Sequence, residues 1–186
     1  SAIQRAGRAG RTAPGRVIRL YTAEDFHRRP VSDTPEILRR ELSQLVLQLR
    51  AMKAAELDWL DAPPEAAVSA AGGLLDRLGV TPDLAGRMAD MPLPPRLSKL
   101  VLEAAARGVP EKGCAVAAVL SAGERGSPDL LTLIEAQWQP QTQQVYDQLR
   151  RTVPGRDRKG AGDEALLHSV LAAFPDRVAR RRAGSE

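Results

Sequence analysis

The stretch Gln4-Arg5-Ala6-Gly7-Arg8-Ala9-Gly10-Arg11 holds the residue types and spacing in this chain that are best suited to chemistry. Arg8 and Arg11 stand three apart, so on a helix or tight turn their guanidiniums project the same way. Gly7 and Gly10 let another surface approach the backbone closely. Two convergent guanidiniums suit the oxygens of a phosphate bidentately, which points to binding of a phosphorylated ligand. A P-loop ending in Gly10-Arg11-Thr12 is excluded, because Arg5 stands where the first glycine is required and Arg11 replaces the lysine. Read as composition alone, an arginine-rich segment also fits a solvated or nucleic-acid-touching arm.

Other reactive residue types are sparse. His27 and His168 lack Cys or acidic neighbours at metal-ligand spacing, which favours surface or half-buried structural roles over metal or acid-base work. Trp59 and Trp138 could stack on bases, but one aromatic with apolar neighbours per helical segment reads as core. The single Cys114 cannot close an internal disulfide and falls in the small apolar run from Gly113 to Leu120, where a buried helical position is expected.

The elements that must position these residues are mainly α. Residues 1–30 read as a short helix carrying the arginines, a turn at Pro14 and Gly15, a strand from Val17 to Tyr21 and a helical turn N-capped by Thr22, with Asp25 three residues on. One strand and one helix cannot close a core, so this opening reads as the edge of an α/β domain whose remainder lies outside the sequence. Leu42, Leu45, Val46, Leu49 and Met52 recur at helical spacing, and Pro63-Pro64 open a second helix through Leu78, with Ala67, Ala70, Leu74, Leu75 and Leu78 as its apolar stripe. Gly72 and Gly73 within it suggest the close approach of another backbone, and Gly79 reads as its stop. Beyond Pro94-Pro95 the pattern predicts helices near 96–107, 110–122, 128–138, 141–152 and 163–174, punctuated by Pro and Gly. The segment from Val153 to Gly162 has almost nothing to bury and reads as an exposed, mobile loop and the favoured proteolysis site.

Composition sets the outer bounds. The chain has 186 residues, 43% hydrophobic and only 3% aromatic, which favours closely packed helices over a β-sandwich. No stretch approaches the roughly 20 apolar residues that span a bilayer, and no apolar signal core opens the chain, so a soluble, cytoplasmic protein without membrane partners is expected. Residues 1–30 carry seven arginines against Glu24 and Asp25. Residues 150–182 carry Arg150, Arg151, Arg156, Arg158, Lys159, Arg177, Arg180, Arg181 and Arg182 against four acids, while the middle is acidic. Two basic ends around an acidic body suggest contact with an anion or nucleic acid.

Gln-Arg-Ala-Gly-Arg-Ala-Gly-Arg, followed by Thr12-Ala13-Pro14-Gly15 and then Arg19-Leu20-Tyr21-Thr22, resembles motif VI of the DEAH-box helicases, at the end of their second RecA-like domain. The similarity continues through Pro35-Glu36-Ile37-Leu38-Arg39, the block from Trp59 to Pro64, Gly86-Arg87-Met88-Ala89 and Pro95-Arg96-Leu97-Ser98-Lys99. The closing run from Phe174 to Arg182 is similar to the bacterial HrpB branch. The resemblance implies the C-terminal edge of the second RecA-like domain over residues 1–33, a winged-helix-like domain over 34–93 and a helical bundle (ratchet) over 94–186. The short link from Leu78 to Gly86 suggests a reduced wing.

In that family the equivalents of Gln4, Arg8 and Arg11 face ATP bound mainly by the other RecA-like domain; the glutamine helps to place the attacking water and the arginines touch the γ-phosphate. The resemblance thus implies ATP and Mg²⁺ as cofactors of a full-length enzyme. Its implied partners are RNA or another single-stranded nucleic acid, and a first RecA-like domain of the same polypeptide. The chain itself has no P-loop and no D-E-x-H segment, so alone it is expected to bind neither cofactor and to be inactive. The acidic middle suggests that the winged-helix segment, with Arg39 and Arg40, is an adapter between domains. The alternatives are a non-enzymatic nucleic-acid-binding module and a protein-docking domain.

Overall fold

The computed structural model describes residues 2–30, 32–54 and 57–179, and its contacts divide the chain into two compact units, Ser1–Arg40 and Glu41–Glu186. Arg180, Arg181 and Arg182 of the closing basic run lie outside the described residues.

The first unit holds two short helices, α1 (Ala2–Ala6) and α2 (Ala23–Arg28), and a 3-10 turn at Glu36–Leu38. Thr22 caps α2 as expected, its Oγ1 accepting from the Asp25 amide at 3.1 Å. The expected strand from Val17 to Tyr21 is not formed; the described residues contain no strand at all. A strand needs a neighbour to take its backbone hydrogen bonds, and none is at hand here. Ile18 and Leu20 are accordingly exposed. Arg39 and Arg40 are also exposed, Arg39 donating to the Thr34 carbonyl and Arg40 pairing with Glu36.

The second unit is all helical among its described residues: α3 (Ser43–Met52), α4 (Glu65–Arg77), α5 (Pro82–Ala89), α6 (Pro95–Ala106), α7 (Pro110–Ala122), α8 (Leu130–Glu135), α9 (Pro140–Thr152) and α10 (Asp163–Ala173). Proline starts four of them, at the position where its missing N–H costs nothing and its fixed φ helps. Helix α7 is buried over nearly its whole length and packs against α6, α8, α9 and α10. It is the central rod of the unit, and its low amphipathicity follows from being covered on every side. Leu100, Ala104, Val109, Val116, Leu166 and Ala173 form the core around it. Cys114 is fully buried there, and burial pushes its thiol pKa up.

A second layer forms where α3 packs on α4 and α5 around the fully buried Leu47, Leu75 and Met88. Several expected details change in it. Met52 is exposed and Leu47 takes the core position; on α4 Leu75 and Leu78 are buried as expected, but Ala70 is exposed and Ala71 is buried in its place. What approaches Gly72 and Gly73 is not backbone but arginine. Arg50 donates to the Gly72 carbonyl at 3.2 Å and pairs with Asp76 at 2.8 Å, stapling α3 to α4. Gly79, at φ +63, ends the helix region as expected. The link after Leu78 is a turn leading into α5, an eight-residue helix capped by Thr81, whose Oγ1 accepts from Leu84 N at 3.3 Å.

Trp59 is not core: it is about a third exposed, beside the fully exposed Leu60. Trp138 does pack, edge-on to Tyr146 with centroids 5.3 Å apart. Its indole N–H donates to the Leu133 carbonyl at 3.0 Å, and this bond, together with the Asp129 cap, trims the expected helix to Leu130–Glu135.

The segment from Val153 to Gly162 is largely exposed but is not loose. Val153 is buried, and the Asp157 carboxylate accepts from the first amides of α7, Glu111 N at 2.8 Å and Lys112 N at 3.4 Å. The Arg158 amide donates to the Gly108 carbonyl at 2.8 Å, and Arg150 donates to the Val153 and Gly155 carbonyls. Sparse apolar content hid these polar anchors.

Candidate phosphate site and its relatives

Helix α1 ends at Ala6, and the chain then tightens into turns: Gly7 N donates to Ile3 O at 2.9 Å, Arg8 N to Arg5 O at 3.2 Å and Ala9 N to Ala6 O at 3.1 Å. A Cβ at Gly10 would meet nothing within 4 Å, so the chain is open to an approaching surface there. Gln4, on the helix, and Arg8 and Arg11, beyond it, line one open concavity of about 530 Å³, together with Arg5 and Gly7. All three predicted residues are brought together.

Arg5, Arg8 and Arg11 are exposed and form no ion pair among the described residues, so three arginines line the concavity with no carboxylate beside them in its lining. Such a cradle favours a multiply charged oxyanion, since each guanidinium presents a planar fork of N–H donors. The lining includes no carboxylate, so it supplies no anionic ligand for Mg²⁺. Arg5, which the motif does not assign to the site, lines the same concavity, and its three-residue spacing to Arg8 is the sequence signal for it.

The other candidates stay apart from this site. His27 is exposed, and its Nδ1 lies 2.7 Å from the Ala23 carbonyl oxygen one helical turn back. His168 is exposed on α10, lining a shallow depression with Arg107, Leu171 and Ala172. Among the described residues no group of three or more His, Cys, Asp or Glu is placed to hold a metal ion, and no helix is long and apolar enough to cross a membrane.

No family model matches the chain. Relatives are nonetheless found along its length. It is 34% identical over 198 residues to the ATP-dependent RNA helicase HrpB of Escherichia coli K12, an alignment covering 98% of this chain and 23% of the relative. It is 38% identical over 130 residues to a pre-mRNA-splicing factor ATP-dependent RNA helicase of Schizosaccharomyces pombe, covering 64% of this chain and 11% of that protein. Two crystal structures of E. coli HrpB, described as a DExH-box NTPase and a DEAH/RHA helicase, superpose with TM-scores of 0.73 and 0.75 at 32% identity. They are matched over 98% and 97% of this chain, which spans 23% and 24% of theirs. The Gln-Arg-Ala-Gly-Arg-Ala-Gly-Arg motif, the helical architecture and this likeness over nearly all its residues agree: the chain belongs to the HrpB branch of the DEAH-box helicases.

Proposed function

We propose that this chain is the part of an ATP-dependent RNA helicase that brings arginine fingers to ATP and links the ATPase to the helical domains that guide RNA. The observation that carries this reading is the shared concavity of Gln4, Arg8 and Arg11. In it, Arg8 and Arg11 contact the γ-phosphate of an ATP held by a first RecA-like domain of the same polypeptide, and Gln4 orients the attacking water. Phosphoryl transfer depends on stabilising charge, and an arginine finger contributes about 10³- to 10⁵-fold in rate. Mg²⁺, when bound, would supply neutralisation of phosphate charge, and with no carboxylate in the lining beside Gln4, Arg8 and Arg11 its anionic ligands would come from that other domain. Because the fingers act only when the two domains close on ATP, hydrolysis is coupled to a hinge motion.

Residues 1–33 are in this view the edge of the second RecA-like domain, 34–93 an adapter of winged-helix type and 94–186 the ratchet bundle, all in the cytoplasm. The ready test is turnover in the full-length polypeptide. Arg8→Ala or Arg11→Ala should lower ATP turnover at least tenfold with RNA affinity nearly unchanged, and the chain alone should show no ATPase above background. Undiminished turnover in both variants rejects the finger assignment.

A further inference from the structure

We propose that the loop joining α9 to α10 is a preformed grip for the phosphate backbone of single-stranded RNA, with Arg151, Arg156, Arg158 and Lys159 as its contacts. The proposal rests on the helicase reading for the choice of RNA as the polyanion.

Arg150 is consumed internally by Glu111 and by two loop carbonyls. On the acidic side, Asp157 is consumed by the first turn of α7, and Asp163 pairs with Lys112 at 2.6 Å. Arg151, Arg156, Arg158 and Lys159 are all exposed and form no ion pair among the described residues. Glu164 is then the one acid of residues 150–164 whose side chain has no ion pair or hydrogen bond among the described residues, against four available cations.

Geometry adds to this. The loop is fixed in its first half and middle by the bonds of Arg150, Asp157 and the Arg158 amide, and Asp163 just beyond it pairs with Lys112 of α7. Gly108, at φ +80, sits under the Arg158 stem so closely that a Cβ there would lie 2.6 Å from Arg158 Cδ. The arginine is therefore seated against the turn between α6 and α7. A loop ordered before binding loses less conformational entropy on contact.

The chemistry of the surface selects the partner. Residues 154–162 are Pro, Gly, Arg, Asp, Arg, Lys, Gly, Ala and Gly, with no large apolar or aromatic side chain. A protein interface needs such anchors at its centre. A phosphate backbone needs only cations and an approachable chain, and is read without regard to base sequence.

The test is anisotropy of a labelled single-stranded oligouridine with the chain as it stands, without nucleotide, across a salt series. In Arg156→Ala/Arg158→Ala/Lys159→Ala, affinity should fall about tenfold or more, and the slope of log affinity against log salt should shrink by about 2, at ~0.7 per phosphate released. Because Arg158 is packed on Gly108, Arg156→Gln/Lys159→Gln serves as a second variant that leaves that stem in place; its slope should shrink by about 1.4. Removing three exposed arginines elsewhere, Arg77, Arg87 and Arg125, should change affinity less than about twofold. Unchanged slopes in both loop variants, an equal loss in the distant variant, or no RNA binding by the parent chain at low salt would each overturn the proposal. Polyglutamate competing as well as RNA would also overturn it, in favour of an acidic protein. Since no ATP is present, these outcomes are independent of whether Arg8 and Arg11 act as fingers.

Discussion

The Asp157 carboxylate stands 2.8 Å from the backbone N–H of Glu111, forty-six residues earlier, and so closes the first turn of α7 from outside the helix. Helix starts leave amide hydrogens unsatisfied, and a carboxylate there also meets the positive end of the helix dipole. Asp157→Ala should therefore cost about 1 kcal/mol, or about 2–4 °C in melting temperature. It should also open the loop to trypsin at Arg156, Arg158 and Lys159. A variant with unchanged melting and unchanged proteolysis would show that the bond does not hold the loop.

Arg96 and Asp176 form a two-pronged pair, Nη1 to Oδ1 at 2.7 Å and Nη2 to Oδ2 at 2.8 Å, while Nη1 also donates to the Ala173 carbonyl at 2.9 Å. The hydrogen bonds from Arg96 hold the Asp176 carboxyl below its usual pKa. A carboxyl with a depressed folded-state pKa adds stability above its unfolded value of about 3.9, and that stability is lost as the pH falls through the folded value. Stability measured by denaturation from pH 6 downward should fall less steeply below about pH 4 in Asp176→Asn than in the parent chain. Parallel curves would show that the pair is not coupled to folding.

Two glycines in helices should respond in opposite directions. A Cβ on Gly113 of α7 would come within 2.3 Å of the Ala104 Cβ on α6, so Gly113→Ala should force the helices apart at a cost of about 1–3 kcal/mol. A Cβ on Gly86 of α5 would meet nothing within 4 Å, so Gly86→Ala should stabilise by up to about 1 kcal/mol through helix propensity. Urea denaturation of both variants decides; the same sign for the two would contradict the packing described.

Local signals carried much of the sequence reading. Proline starts and periodic apolar residues located α6, α7, α9 and α10 to within a residue or two; three-residue spacing grouped Arg8 with Arg11, and the motif VI resemblance added Gln4. What depended on distant partners was not legible. The Val17 to Tyr21 strand had the right composition and no neighbour to pair with. Helix α5 is short, with Gly86 inside it, and leaves too few periodic positions to register. Asp157 resembles any loop aspartate until α7 is seen beside it, and the room left by Gly72 is taken by an arginine from α3.

The seating of Arg158 on Gly108 has a mechanical side. Gly108 lies between α6 and α7, and α7 is the rod against which the rest of the bundle rests. A pull on that arginine would pass through one hydrogen bond and one methylene stem to the turn that starts α7, so tension on the loop would bear on the helix that touches α6, α8, α9 and α10.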